Sequence, residues 1–116
     1  MTYPSFGRLG RISEPYKIEL TQSKIRPLAG REVLVQIKAS ALCGSDLHTA
    51  RGRHPSVPLP ATVGHEFSGD VIAVGPEASS AWLGKRVVSE PCEACGMCPA
   101  CRKGRYDLCA QLRFIY

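Results

Sequence analysis

Two short segments of the chain alternate between apolar and polar side chains. In residues 16–20 and 33–39 every second side chain is apolar, so each segment would carry one apolar face. A period of two predicts a half-buried strand in each segment. Residues 26–30, which contain Pro27 and Gly30, predict a turn that joins the two strands.

Two further strands are predicted at residues 67–74 and 85–89, and glycine or proline bounds each of them. Residues 51–60 hold three prolines and predict an irregular loop. The fold is therefore expected to be mainly β, a barrel or sandwich closed by irregular loops.

A short helix is predicted over residues 44–50, directly after Cys43. Ser45 or Asp46 would cap its first turn, because a short polar side chain can accept a hydrogen bond from the backbone there. Candidate chemistry is therefore expected at strand ends and in loops.

The composition is that of an ordinary globular domain. Of 116 residues, 44% are hydrophobic and 22% charged, and no run of apolar residues is long enough to span a bilayer or to form a secretory signal. We therefore expect one cytoplasmic domain with no membrane partner. The formal charge of +5 is spread along the chain, which favours a solvated basic surface over a nucleic-acid partner.

Cysteine is concentrated in one part of the chain. Five of the six cysteines lie between Cys92 and Cys109, and clustered cysteines in a reducing compartment favour metal over disulfides. Four of them follow the spacing C-x2-C-x2-C-x7-C. Four thiolates so closely spaced can surround a tetrahedral ion, which predicts a closed structural zinc site. Its ligands would be Cys95, Cys98, Cys101 and Cys109.

Two other metal-site classes fit this spacing less well. In a bacterial ferredoxin run three residues separate the third cysteine from the fourth, whereas seven residues separate Cys101 from Cys109. A nucleic-acid zinc ribbon has two paired knuckles with basic and aromatic residues between them, and only Tyr106 is aromatic here. Cys92 has no assigned role; it is either a competing ligand or a reduced thiol.

A second candidate metal site combines three different ligand types. Cys43, His65 and Glu66 could supply a thiolate, an imidazole and a carboxylate. Each residue alone indicates little, because a single cysteine is commonly a small buried hydrophobe and a His-Glu pair often lies on a surface. Together they form a three-ligand set that leaves one position open for substrate, as in a catalytic zinc site.

The order of these motifs resembles a known family. Cys-Gly-Ser-Asp-Leu-His at residues 43–48, Gly-His-Glu-Phe at 64–67, Gly-Lys-Arg-Val at 84–87 and the four cysteines resemble the GroES-like N-terminal domain of zinc-dependent medium-chain alcohol dehydrogenases. The resemblance covers about residues 16–113 and is nearest to the polyol and threonine dehydrogenase branch. It implies a GroES-like barrel that carries one catalytic and one structural Zn²⁺.

Carried over residue by residue, the resemblance assigns roles at the mixed site. It makes Cys43 and His65 ligands of the catalytic zinc and Glu66 a third ligand that exchanges with water. It makes Ser45 the hydroxyl that hydrogen-bonds the substrate alcohol, and His48 the next station of a proton relay.

Asp46 would orient His65 through the other ring nitrogen. The cluster of Cys95, Cys98, Cys101 and Cys109 becomes the structural site. His54 matches no part of the motif and is interpreted as a loop histidine.

The resemblance also implies what the full-length enzyme would need. It implies NAD or NADP, a small-molecule alcohol or polyol that is oxidised to a carbonyl, and a homo-oligomer. No Gly-x-Gly-x-x-Gly occurs in residues 1–116, so we expect the nucleotide-binding domain to be absent from this chain. Residues 1–116 would then form a partial GroES-like zinc-binding catalytic domain, with a structural zinc lobe at 91–110, that is inactive alone.

A second function class stays open at this point. A non-catalytic zinc-binding interaction or scaffold module would need the four clustered cysteines but would have no use for the mixed site.

The opening residues 1–15 lack the clear first strand that is usual in the dehydrogenase family.

Overall fold

The computed structural model describes residues 3–115, and within them the chain is mainly β, as predicted. A short helix follows Cys43, also as predicted, and a second short helix lies in the cysteine-rich region. The strands are β1 (Phe6–Glu14), β2 (Lys17–Lys24), β3 (Val33–Ala41), β4 (Ala61–Val63), β5 (Glu66–Val74), β6 (Arg86–Val88), β7 (Cys92–Glu93) and β8 (Arg113–Phe114). The helices are α1 (Gly44–Ala50) and α2 (Pro99–Arg102), with single 3-10 turns at Ser80–Trp82 and Tyr106–Leu108.

The strands form two antiparallel sheets of three strands and one small ribbon. The sheet orders are β2-β1-β4 and β3-β5-β6, and β7 pairs with β8. The predicted strands at 33–39, 67–74 and 85–89 therefore become neighbours in one sheet. The turn at residues 26–30 does not close a hairpin, because β2 and β3 lie in different sheets.

The opening residues were expected to lack a clear first strand, and this expectation was wrong. Strand β1 occupies Phe6–Glu14 and is the central strand of its sheet. Gly7, Gly10 and two arginines interrupt its apolar residues, so the local pattern is weak. Its hydrogen bonds to β2 and β4 on both sides favour the strand instead, and Ile12 is only 1% exposed.

The predicted half-burial of residues 16–20 and 33–39 was also wrong. Ile18, Leu20 and Ile37 remain exposed. Two register shifts, at Leu34/Val35 and at Ile37/Ala39, break the strict alternation in β3. Strand β2 lies at the edge of its sheet, and among residues 3–115 its apolar side chains stay largely open to solvent.

In the second sheet, the backbones of β3 and β5 approach each other closely at Gly69. Gly69 in β5 is buried, and a Cβ atom at this position would collide with the backbone carbonyl of Gln36 in β3. Glycine therefore allows β3 and β5 to lie as close as they do. Within residues 3–115, neither helix reaches the length and apolarity that crossing a bilayer requires.

Candidate metal centres

The four clustered cysteines converge on one point. The Sγ atoms of Cys95, Cys98, Cys101 and Cys109 all lie within 4.8 Å of one another, and those of Cys95 and Cys101 are 4.0 Å apart. A tetrahedral zinc with Zn–S bonds of about 2.3 Å places its sulfurs ~3.8 Å apart. The thiols therefore fit a tetrahedral zinc with only small adjustments.

Backbone amides point at two of these sulfurs. Cys95 Sγ accepts hydrogen bonds from the amides of Met97, at 3.5 Å, and Cys98, at 3.3 Å. Cys109 Sγ accepts from the amides of Cys95, at 3.4 Å, and Gln111, at 3.3 Å. Such donors stabilise a negatively charged sulfur, so the local backbone already favours thiolates.

The thiols differ in how easily they ionise. A hydrogen bond from the backbone of Cys101 lowers the pKa of the Cys98 thiol to about 6. Amide donors from Met97 and Cys98 lower the pKa of Cys95. Burial instead raises the pKa of Cys101 to about 12. Cys98 and Cys95 thus ionise more easily than a free thiol, whereas Cys101 would release its proton only with a cation nearby.

The backbone of the four-cysteine lobe (residues 91–110) turns back at two glycines. Gly96 and Gly104 have φ of 72° and 77°, a conformation that favours glycine and lets the loop double back. Helix α2 begins after Cys98 with Pro99 in its first turn. Cys92 lies in β7, outside the group of four; it forms no disulfide, and its thiol donates to Glu90 Oε1 at 3.9 Å.

The mixed-ligand site (Cys43, His65 and Glu66) is assembled by the second sheet. Its three ligand atoms also lie within 4.8 Å of one another. Cys43 follows the end of β3 and His65 precedes β5, and Ala41 pairs directly with Glu66 at this end of the sheet. Antiparallel pairing therefore brings residues that are distant in sequence to one strand end.

Asp46 connects two members of the mixed-ligand site. Its Oδ2 accepts a hydrogen bond from the Cys43 amide at 3.0 Å, and its Oδ1 lies 3.5 Å from Nδ1 of His65. Asp46 and His65 are both buried. A carboxylate in this position can hold the imidazole in one orientation, with Nδ1 toward Asp46.

The start of α1 differs in part from the prediction. Cys43 occupies the cap position, and Asp46, the third residue of the helix, supplies the carboxylate that accepts from the Cys43 amide. Ser45 lies inside the first turn, where its carbonyl oxygen accepts a hydrogen bond from Thr49 Oγ1 at 3.0 Å. Neither predicted residue is therefore the cap itself: Cys43 holds that position, and Asp46 contributes its carboxylate from inside the first turn.

Ser89 holds the backbone on both sides of the His65–Glu66 pair. Its Oγ donates to the His65 carbonyl at 2.5 Å and accepts from the Phe67 amide at 3.0 Å. The Ser89 amide also donates to the Phe67 carbonyl at 2.9 Å. Sequence reasoning missed this residue, since the only available signal was a hydroxyl at the end of an apolar strand.

A cavity of about 310 Å³ opens beside the mixed-ligand site. Cys43, Ser45 and His65 form part of its wall, so Ser45 lines the same cavity as two predicted ligands. His48 lies one helical turn after Ser45, on the exposed side of α1. The rest of the wall is His54, Ser56, Pro91, Phe114 and Ile115. His54 is in a loop, as interpreted, but the loop returns to the site.

The two ligand sets suit different tasks. Four thiols form a closed shell that leaves no place for a substrate, which is typical of a structural site. The mixed set offers three ligands and lies beside a cavity, so a fourth position could take an oxygen from a small molecule.

Comparison with known proteins agrees with this architecture. The family model for the alcohol dehydrogenase GroES-like domain matches residues 29–115. The chain is 37% identical over 104 residues to the starvation-sensing protein RspB of Escherichia coli K12, covering 90% of this chain and 31% of that protein. It is 41% identical over 91 residues to sorbitol dehydrogenase of Halalkalibacterium halodurans, covering 77% of this chain and 26% of that protein.

A solved structure shares the fold. The chain superimposes with a TM-score of 0.86 on the short chain alcohol dehydrogenase RspB from Escherichia coli CFT073, complexed with NADH, at 33% identity. The match covers 97% of this chain and 32% of that one. The chain therefore spans between about a quarter and a third of the length of these relatives.

Proposed function

This chain belongs to the alcohol dehydrogenase GroES-like domain family, and on that premise we propose that it carries the metal sites of an oxidoreductase acting on an alcohol or polyol. The four-cysteine lobe would hold a structural Zn²⁺. The mixed-ligand site would hold a catalytic Zn²⁺ through Cys43, His65 and Glu66. The observation that carries the proposal is the presence of two separate ligand sets, one closed and one beside a cavity.

Zinc bound at the mixed-ligand site would act as a Lewis acid that lowers the pKa of a substrate hydroxyl. The protein residues would then handle orientation and the proton. Asp46 would fix the His65 ring, so that Nε2 is the nitrogen available as a ligand. Ser45, on the cavity wall, would accept the hydroxyl proton as it gives its own proton to exposed His48, which would release it to solvent.

The hydride acceptor would be NAD or NADP. The RspB relative from Escherichia coli CFT073 is complexed with NADH, which supports a nicotinamide for the whole enzyme. Residues 1–116 contain no Gly-x-Gly-x-x-Gly, so we propose that they act as a partial catalytic domain and do not turn over substrate alone. We also propose that the whole enzyme is cytoplasmic and forms a homo-oligomer.

The alternative, a zinc-binding scaffold module, requires only the four-cysteine lobe. It gives no reason for Cys43, His65 and Glu66 to converge, or for Asp46 to be buried between two of them. A buried carboxylate is costly unless it is engaged by donors or a charge. The dehydrogenase function therefore accounts for more of the molecule.

Zinc content per chain tests the proposal. We expect two zinc ions in the wild-type chain, one in Cys43→Ala and one in Cys98→Ala, measured by elemental analysis after removal of loosely bound metal. Cys92→Ala is the matched control, because it removes a thiol outside both ligand sets. It should retain two zinc ions.

The scaffold alternative gives a different result. One zinc ion per wild-type chain, lost in Cys98→Ala and kept in Cys43→Ala, would contradict the catalytic assignment of the mixed-ligand site.

A further inference from the structure

Three apolar side chains at the start of β2 are exposed at alternate positions. Tyr16, Ile18 and Leu20 are 73%, 64% and 82% exposed. The alternation in residues 16–20 predicted that one face of this segment would be buried, yet among residues 3–115 only β1 pairs with β2. The apolar residues of the segment are therefore available for contact with another molecule.

The outer edge of β2 presents backbone groups as well. The Ile25 amide donates to the Ser5 carbonyl at 2.8 Å, and β1 and β2 keep one register along their ladder as far as Ile18. Because hydrogen-bonded residues alternate along an antiparallel pair, the odd-numbered residues of this ladder in β2 bond to β1. Ile18 and Leu20 therefore direct their amides and carbonyls to the outer edge, which can act as a template for a further strand.

The charges beside Ile18 match their own reverse order. Lys17 and Glu19 flank Ile18, and Lys17 Nζ lies 3.7 Å from Glu19 Oε1 on one face of the strand. If a second copy pairs antiparallel with Ile18 opposite Ile18, Lys17 of each copy lies directly opposite Glu19 of the other. The four charges then alternate in sign around a square. A pair centred on Lys17 or on Glu19 would instead oppose like charges.

The turn that precedes β2 is fixed in place. The Tyr16 amide donates to the Ala50 carbonyl at 2.7 Å, so the turn is tied to the end of α1. A Cβ atom at Gly52 would lie 2.9 Å from Pro15 Cγ, which shows how closely the turn packs against the loop after α1. Because residues 16–20 are already ordered, pairing with another strand would cost little conformational entropy.

We propose that residues 16–20 form an interface at which two copies of this chain join their β2 strands antiparallel, across a two-fold axis at Ile18. The Ile18 side chains of the two copies lie side by side, and Leu20 of each copy lies beside Tyr16 of the other. Two reciprocal pairs of Lys17 with Glu19 form on the opposite face. A two-fold contact uses the same patch on both copies and is closed, so a third copy has no place on this edge.

This inference gives the homo-oligomer of the proposed function an interface, and in that respect it rests on the proposed function. It requires neither zinc site. The contact is small, so we expect a monomer–dimer equilibrium that becomes visible at protein concentrations approaching about 1 mM.

Sedimentation equilibrium of the zinc-loaded chain tests the interface through charge reversal. Lys17→Glu and Glu19→Lys each oppose like charges across the two-fold axis. Each should weaken the dimer about tenfold, because two cross-strand ion pairs are lost at once. An equimolar mixture of the two variants should recover the dimer, since every charge at positions 17 and 19 then faces one of opposite sign.

Lys24→Glu is the matched control. It changes the net charge by the same amount as Lys17→Glu and lies on the same strand, but outside residues 16–20. This variant should associate as the wild type does. The side chains of Lys17, Glu19 and Lys24 are all exposed, and zinc retained in the four-cysteine lobe verifies that each variant is folded.

The outcomes separate this inference from the proposed function. A wild-type chain that stays monomeric at about 1 mM, a mixture that does not recover the dimer, or equal weakening in Lys24→Glu overturns the interface alone. A dimer with these responses in a chain that binds no zinc at the mixed-ligand site supports the interface and overturns the catalytic assignment.

Discussion

The two candidate metal sites are assembled in opposite ways. The four-cysteine lobe takes all its ligands from residues 95–109, and hydrogen bonds within the same stretch orient the sulfurs. The mixed-ligand site joins Cys43 to His65 and Glu66 through the pairing of β3 with β5. The first site is therefore a property of a local sequence, and the second is a property of the sheet.

This difference has a consequence for stability. The lobe should hold its metal even when the second sheet is distorted, because zinc binding and local folding are one process in such sites. The mixed-ligand site should lose its metal whenever β3 and β5 shift relative to each other. The two sites should thus respond separately to substitutions outside both ligand sets.

The largest difference in zinc content between the two sites is expected from Gly69→Ala. The added methyl group would collide with the Gln36 carbonyl and force β3 away from β5. Overpacking of this kind costs ~1–3 kcal/mol of folding free energy and displaces the strand end that carries Cys43. We expect the variant to lose the zinc of the mixed-ligand site and keep that of the lobe, measured by zinc content and by urea unfolding.

Gly10→Ala is the control for this substitution. Gly10 also lies in a strand, but an added Cβ would be 3.9 Å from Val63 Cγ2, an ordinary contact. This variant should keep both zinc ions. If Gly69→Ala also kept both, the mixed-ligand site would not depend on close packing of the sheet.

A smaller effect is expected from Ser89→Ala. The variant loses the hydrogen bonds of the hydroxyl to the His65 carbonyl and the Phe67 amide, but leaves all three predicted ligands in place. Loss of such a contact costs ~0.5–1.5 kcal/mol, which corresponds to a decrease in zinc affinity of about twofold to tenfold. Competition with a chelator should show this decrease at the mixed-ligand site only.

Ser79→Ala provides a matched loss of a hydroxyl. Ser79 Oγ accepts a hydrogen bond from the Ala81 amide in a 3-10 turn that contributes no predicted zinc ligand. The zinc affinity of the Ser79→Ala variant should equal that of the wild type at both sites. A similar decrease in both serine variants would show that general destabilisation, and not the position of His65, determines zinc affinity.

The same contrast explains what the sequence could predict. The spacing of the four cysteines is a local pattern, and the structure brings these thiols together as expected. Cys43, His65 and Glu66 were found through motifs, although their convergence depends on pairing across the sheet. Ser89 has no local pattern that marks its contact with the His65 carbonyl.

The predictions of burial in β3 and of a missing first strand failed for a related reason. Alternation in residues 33–39 predicted one buried face, but two register shifts in β3 disturb it. Strand β1 was missed because glycines and arginines weaken its pattern while pairing on both sides stabilises it. Local periodicity describes a side chain's neighbours in sequence, whereas burial depends on neighbours in space.

The smallest effect is expected from a substitution in the segment that leads into β3. The Arg26 guanidinium donates to both carboxylate oxygens of Glu32, and the Ala29 amide donates to Glu32 Oε2 at 2.8 Å. These hydrogen bonds lower the pKa of Glu32 to about 2. The Glu32 carbonyl also accepts from the Gly75 amide at 2.7 Å, so the segment is tied to the chain beyond β5.

A lowered carboxyl pKa gives stability that is present above the ordinary pKa of 4.5 and is lost as the pH falls toward 2. Glu32→Gln should therefore unfold at a slightly lower temperature than the wild type at pH 6, and the two should converge near pH 2. Comparing thermal unfolding of the metal-free chains across this range keeps zinc release out of the difference. The effect should be small because solvent reaches both side chains, which are 67% exposed in Arg26 and 40% exposed in Glu32. A difference that persisted unchanged to pH 2 would mean that the carboxylate charge contributes nothing, and that only the neutral hydrogen bonds hold this segment to the sheet that carries the mixed-ligand site.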